Sequence, residues 1–466
     1  MNKQRAAWLL AAATALACGE KASITSNQDP PAPAAPTAPP STPPPSLTRA
    51  TVTPAWTTGS APSGISGGPR ASDPGQPLPT TPSAIAAGQG RVLVATQDAC
   101  IELLDLATGK PLVPRLCEKD RFPTGIAILG DTAVVARRDD IRGYDPANLT
   151  ERWRTDVGII QTQWLLQPRP IADRFCAAVF RPGKGNAVVC LDPATGKPTA
   201  DIPLREGSRV ALGDQLIGII DADTAPVAPT PAGQERPVRF LHPDGKPAAR
   251  SLLRGVNGPS FEQASPIFLV RGGGHDAMGG WITRYVAPTG QILATITGKQ
   301  ILSEGGATRR GQAVTTEYSA VRRGATAAAF DAAGTAVWRT DLTIRGPIRP
   351  WIVEVAGHIH LGHDRGIIVL DPITGAITRT YPVAATTPAI VGDRVLMMVE
   401  ARATRTDSDY GDAGVHAIDA ATGDVLLHED LGRDLPGGQQ HQQPVVSGDM
   451  VVLVAAGRVR AYRVSM

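Results

Sequence analysis

From about residue 84 to the C-terminus the chain repeats itself, and this periodicity restricts the fold more than any other feature. The recurring unit closes an apolar stretch on Asp and turns on Gly. It occurs as Leu104-Asp105-Leu106-Ala107-Thr108-Gly109, Leu191-Asp192-Pro193-Ala194-Thr195-Gly196, Leu370-Asp371-Pro372-Ile373-Thr374-Gly375 and Ile418-Asp419-Ala420-Ala421-Thr422-Gly423. Weaker copies are Tyr144-Asp145-Pro146, Leu241-His242-Pro243-Asp244-Gly245, Ala287-Pro288-Thr289-Gly290 and Phe330-Asp331-Ala332-Ala333-Gly334. A period of roughly 40 to 50 residues belongs to propeller blades and solenoids. The Asp caps the turn through its own backbone and the Gly supplies positive φ, so each copy predicts a hairpin.

A second turn signal recurs as Gly130-Asp131, Gly213-Asp214, Gly392-Asp393 and Gly448-Asp449, each followed by an apolar run such as Val451-Val452-Leu453-Val454. Between the two signals there is room for four short strands per unit, and no segment keeps a helical period. The expected fold is all-β, a β-propeller of four-stranded blades. Eight turn-marked units are present, and 445–464 adds three strands without an outer one. Residues near Gln76 to Thr81 are expected to complete that last unit, which makes the literal count nine.

The cysteines fit the same hairpins. Cys176 and Cys190 flank Gly183, and Cys100 and Cys117 flank Ala107-Thr108-Gly109-Lys110 at nearly equal distances. Opposed residues on antiparallel strands come within disulfide reach, so the expected bridges are Cys100 with Cys117 and Cys176 with Cys190. The alternative is four buried thiols. Disulfides persist in an oxidising, exported setting.

The N-terminus reads the same way. Lys3 and Arg5, an apolar run from Ala6 to Ala17 and then Cys18 describe a secretory signal too short to span a bilayer permanently. Ala15-Leu16-Ala17-Cys18 resembles a bacterial lipobox, with the leucine one place late; an ordinary signal peptide cut near Ala17 is the alternative. The organisation expected is 1–18 signal peptide with lipidation at Cys18, 19–83 a disordered Pro-rich tether, and 84–466 the propeller. Pro30, Pro31, Pro33, Pro36, Pro39, Pro40, Pro43, Pro44 and Pro45 give the tether its extended character.

The repeats resemble those of the quinoprotein-like (PQQ-type) propeller superfamily, whose blades carry Asp-Ala-x-Thr-Gly-Lys and then a tryptophan on the outer strand. Trp153 in Glu151-Arg152-Trp153-Arg154-Thr155-Asp156 and Trp338 in Val337-Trp338-Arg339-Thr340-Asp341 match that tryptophan. Eight blades is the commoner number in this superfamily and is the expectation here. Its enzymes hold the quinone with a vicinal Cys-Cys disulfide, which this sequence lacks, and no c-type haem signature is present. Neither quinone nor any other cofactor is expected. In lipobox, envelope location and repeat type the chain is also similar to the propeller lipoprotein of the outer-membrane β-barrel assembly machinery. That resemblance implies a non-catalytic, membrane-anchored scaffold for envelope proteins at the outer membrane or in the periplasm.

Two clusters are candidate metal ligands. His358 and His360 share one face of a strand and imidazoles suit zinc or copper, although a solvated or hydrogen-bonded pair is the commoner outcome. With Asp364 they are the only residues from which an enzyme at the channel mouth, metal-dependent or hydrolytic, would be built. Asp407, Asp409 and Asp412 beside Gly411 resemble part of a calcium loop, but the bidentate Glu of an EF-hand is missing and a polar turn is the plainer reading. Lys+Arg 46 against Asp+Glu 43 leaves no charge excess for a nucleic-acid partner.

Overall fold

The computed structural model describes residues 49–58, 82–119, 121–161, 167–221, 235–254, 260–264, 267–272, 282–286, 291–297, 306–307, 312–319, 324–331, 335–342, 351–363, 366–383, 387–401, 412–433, 444–455 and 458–466. Every regular element among them is a β-strand. The strands form eight four-stranded sheets and one of five strands. In the five-stranded sheet Ile159–Ile160 and Arg169–Ile171 lie end to end along the same edge of Arg174–Arg181, so they are one inner strand in two pieces. The expected four-stranded units are therefore present, and the ninth sheet matches the literal repeat count.

Numbered along the chain, blades 1 to 8 occupy 82–117, 125–156, 159–203, 209–254, 260–297, 306–342, 351–381 and 389–433. Blade 9 joins 445–465 to the strand Thr51–Thr58. Within a blade the strands run as an antiparallel meander, and the first strands of successive blades approach one another, so they line the axis.

The central strands read as unbroken apolar runs because both of their faces are covered. In Thr132–Ala136, Ala133 and Val135 pack against blade 1 while Val134 packs against blade 3. Comparable shared cores join blades 3 and 4 through Val188 and Ile217, and blades 7 and 8 through Val369 and Met398. Blade 9 closes the ring: Leu453 and Tyr462 pack on Val415 of blade 8, and Val452 packs on Val92 of blade 1.

Closure corrects one sequence expectation. The outer strand of blade 9 is Thr51–Thr58, paired antiparallel to Arg458–Ser465 from Thr51 with Ser465 to Thr58 with Val459. It lies inside the segment read as tether, whereas Gln76 to Thr81 lie outside the described residues. The local reason is β-propensity: Thr51-Val52-Thr53 and Trp56-Thr57-Thr58 favour a pleated, half-buried surface. Pro54 is tolerated because this is an edge strand and the register shifts there.

The two faces of the ring differ. Among the described residues, one carries the Asp-to-Gly turns and the Gly-Asp turns, with Gly130, Gly392 and Gly448 at φ of 56°, 56° and 63°. The other carries the hairpins 137–140 and 181–185 and the ends from which successive blades are joined. We call these the turn face and the connector face.

Candidate functional site

The repeat turn is itself a small site. In blade 1 the Asp105 carboxylate accepts from Thr108 N–H at 2.9 Å and from the Thr108 hydroxyl at 2.7 Å. The hydroxyl bond holds Asp105 below its ordinary carboxylate value. Asp192 and Asp371 repeat this arrangement with Thr195 and Thr374. The closing glycine stands at positive φ, 68° at both Gly109 and Gly196. It is also bare on its outer side, and that side is where the preceding blade docks.

The docking group is the outer-strand tryptophan. Trp153 of blade 2 lies on Gly196 of blade 3, where a Cβ would overlap its ring, and its Nε1–H donates to Pro193 O at 2.8 Å. Thr155 Oγ1 donates to Gly196 O at 2.7 Å. Trp338 of blade 6 does the same on blade 7, to Pro372 O at 3.1 Å, with Thr340 on Gly375 O at 2.6 Å. Trp56 of the ring-closing strand lies on Gly109 and donates to Leu106 O at 2.7 Å. Sequence reading found Trp153 and Trp338 but missed Trp56, although its Trp56-Thr57-Thr58 repeats their Trp-x-Thr spacing. At the junction of blades 7 and 8, Arg379 covers Gly423 and the Tyr381 hydroxyl donates to Gly423 O at 3.1 Å.

Blades 3 and 4 depart from this pattern. Trp153, Trp338 and Arg379 each occupy the outer-strand position next to a register shift, and in blade 3 that position is Ala200. Gly245 of blade 4, at φ 81°, therefore meets nothing closer than the Ala200 methyl at 3.4 Å. A groove of about 870 Å3 opens there between the outer strands Pro198–Pro203 and Pro247–Arg254. The carbonyl equivalent to Pro193 O is Pro243 O, which accepts from Thr199 Oγ1 at 3.1 Å. No sequence motif marked this groove; its signal is the alanine where three other blades carry tryptophan.

The cysteines pair as expected. Cys100 bonds Cys117 and Cys176 bonds Cys190, with Cα separations of 4.0 and 4.1 Å across directly opposed strand positions. Cys18 lies outside the described residues.

His358 and His360 stand on the strand His358–His363, and their shared side faces blade 8. His360 is 1% exposed, and burial pushes it down to about 4. Neither Nδ1 has a partner. Among the described residues no three His, Cys, Asp or Glu side chains come together to hold a metal. Asp364, Asp407 and Asp409 lie outside the described residues, and Asp412 opens the strand Asp412–Asp419 opposite Arg433. A second histidine pair, not singled out from sequence, stacks across blade 8: His416 and His428 are directly opposed with ring centroids 4.3 Å apart.

Blade 2 buries charge where it meets blade 1. Asp140, 1% exposed, accepts from Arg121 at 2.8 Å, Arg142 at 3.0 Å and Arg154 at 2.6 Å. Arg142 also reaches Glu118. Burial opposes its charge, but the Asp140 and Glu118 carboxylates outweigh that and hold it above the ordinary guanidinium value. On the connector face beside this network, Phe122, Ile159 and Phe180 are exposed, and Ile159 pairs directly with Phe180. The hairpin 137–140 links them, because Arg137 donates to Arg121 O and Ile160 N–H to Arg138 O at 2.8 Å.

Residues 323–465 match the family model of the outer membrane protein assembly factor BamB. No curated protein matches the chain by sequence. Among solved structures, BamB from Moraxella catarrhalis is 12% identical, covers 82% of this chain and 84% of its own, and superposes with a TM-score of 0.37. The dihydro-heme d1 dehydrogenase NirN is 17% identical over 76% of each chain, TM-score 0.45. A europium-containing methanol dehydrogenase is 10% identical, covering 88% of this chain and 93% of its own, TM-score 0.44. The chain is thus a β-propeller whose last blades, residues 323–465, are similar to the BamB family with its PQQ-type repeats.

Proposed function

We propose that this chain is a non-catalytic propeller, held at a membrane by lipid on Cys18, that binds other envelope proteins and takes part in outer-membrane protein assembly. The observation that carries this reading is the match of residues 323–465 to the BamB family model. The chain's own surface agrees with a binding role. The connector face exposes Phe122, Ile159 and Phe180, and exposed large apolar side chains of this kind suit a protein partner.

The test is photo-crosslinking in living cells from positions 122 and 180, with position 373 on the turn face as control, followed by mass spectrometry. Barrel-assembly subunits recovered from 122 and 180, and depleted from 373, are the expected result. Their consistent absence from both connector-face positions would remove the assembly role.

A further inference from the structure

We propose that the groove between blades 3 and 4 is an open indole socket, and that it receives a tryptophan side chain flanked by a carboxylate from a partner protein. The molecule itself supplies the standard for what such a socket holds. At the junctions made by Trp56, Trp153 and Trp338, an indole lies flat on the closing glycine of the next blade and donates Nε1–H to the carbonyl of the residue after the turn's first position. Between blades 3 and 4 the receiving half is intact. Gly245 keeps its positive φ and lines the groove, and beside it the equivalent carbonyl, Pro243 O, accepts from Thr199 and has a second lone pair. Only the indole is missing, because Ala200 stands in its place, and the resulting groove of about 870 Å3 has room for a large aromatic side chain.

Charge selects the flanking residue. The other charges lining the groove are satisfied within the fold: Asp201 by Arg181 at 2.7 Å, Asp244 by Lys246 at 2.8 Å and Arg239 by Asp221 at 2.8 Å. Arg250 is exposed and has no ion pair or hydrogen bond among the described residues. A carboxylate one or two residues from the tryptophan gains that guanidinium as a bidentate partner. The apolar lining from Ala200, Pro247 and Ala248 favours the ring.

This inference rests on the protein-binding reading and names one surface for it. The direct test is titration of the full chain with a fluorescein-labelled hexapeptide of the sequence of residues 151–156, and with its counterpart bearing alanine for tryptophan. The tryptophan peptide is expected to bind with a dissociation constant below about 1 mM and the alanine peptide at least tenfold more weakly. Ala200→Trp fills the socket from within and is expected to abolish binding without lowering the melting temperature. Ala200→Leu, a smaller plug, keeps the test usable should the tryptophan variant fold poorly. Replacing both arginines of the peptide by aspartate is expected to tighten binding, and Arg250→Glu to cancel that gain. Equal binding of the two peptides, or binding unchanged in both Ala200 variants, would overturn the proposal. So would a concentration-dependent dimer lost in Ala200→Trp, which would assign the groove to a second copy of this chain. A crosslinker at position 246 separates this inference from the broader one: a partner captured at 122 and 180 but never at 246 sinks the socket alone, and no partner at any of the three sinks the binding role.

Discussion

At the scale of single residues, the most informative side chain is His360. Burial in the apolar layer between blades 7 and 8 disfavours its cation, and His358 and Arg379 add positive charge nearby, so it is neutral in the fold down to about pH 4. The unfolded chain takes up that proton near the ordinary value of 6.5. Below 6.5 the unfolded state therefore binds more protons than the native one. The stabilising contribution is complete above 6.5, is lost as pH falls from there to about 4, and amounts to roughly 3 kcal/mol. The turn carboxylates Asp105 and Asp371 act in a lower window: their hydrogen bonds hold them below the ordinary value of 3.8, so their contribution is present above that value and lost as pH drops beneath it. Urea denaturation at pH 7 and pH 4.5 separates the two. Wild type is expected to lose stability between these values, and His360→Leu to lose much less; an equal loss in both proteins would mean that His360 is not the titrating group.

At the scale of the element, the outer strand acts as a latch between blades. Trp56→Ala removes a half-buried indole and its hydrogen bond to Leu106 O, and it is expected to cost about 3 kcal/mol in urea denaturation, comparable with Trp153→Ala. A cost near zero would show that the ring-closing strand is dispensable. This strand also shows where sequence reading reaches its limit. Hairpins with a local code were legible: the Asp-to-Gly turns, the Gly-Asp turns and both disulfides follow from residues close together in the chain. Thr51–Thr58 was not, because Pro54 and the surrounding proline-rich composition read as unstructured, and its partner Arg458–Ser465 lies at the opposite end of the sequence. The groove was hidden for a different reason. An alanine in a repeat carries no signal alone, and Ala200 becomes meaningful only when Gly245 is seen across the junction with nothing on it. The Asp140 network was likewise illegible, since Glu118, Arg121, Arg142 and Arg154 meet only when blades 1 and 2 pack.

At the scale of the whole molecule, stability depends on the ring being closed. Blade 9 packs on both of its neighbours, so a chain starting at residue 59 leaves this blade with an unpaired edge along 458–465 and an uncovered Gly109. Such a chain is expected to melt on the order of 5 °C lower than the full protein, and a synthetic peptide of residues 49–58 to restore part of that loss; an unchanged midpoint would contradict ring closure by this strand. The same pairing has a consequence for biosynthesis. Thr51–Thr58 leaves the ribosome before any other part of the propeller, yet the surface that receives it is the last segment to be made. The earliest strand must wait, unpaired and rich in β-forming residues, until Arg458–Ser465 has been made, and a chain that stops before residue 458 never closes.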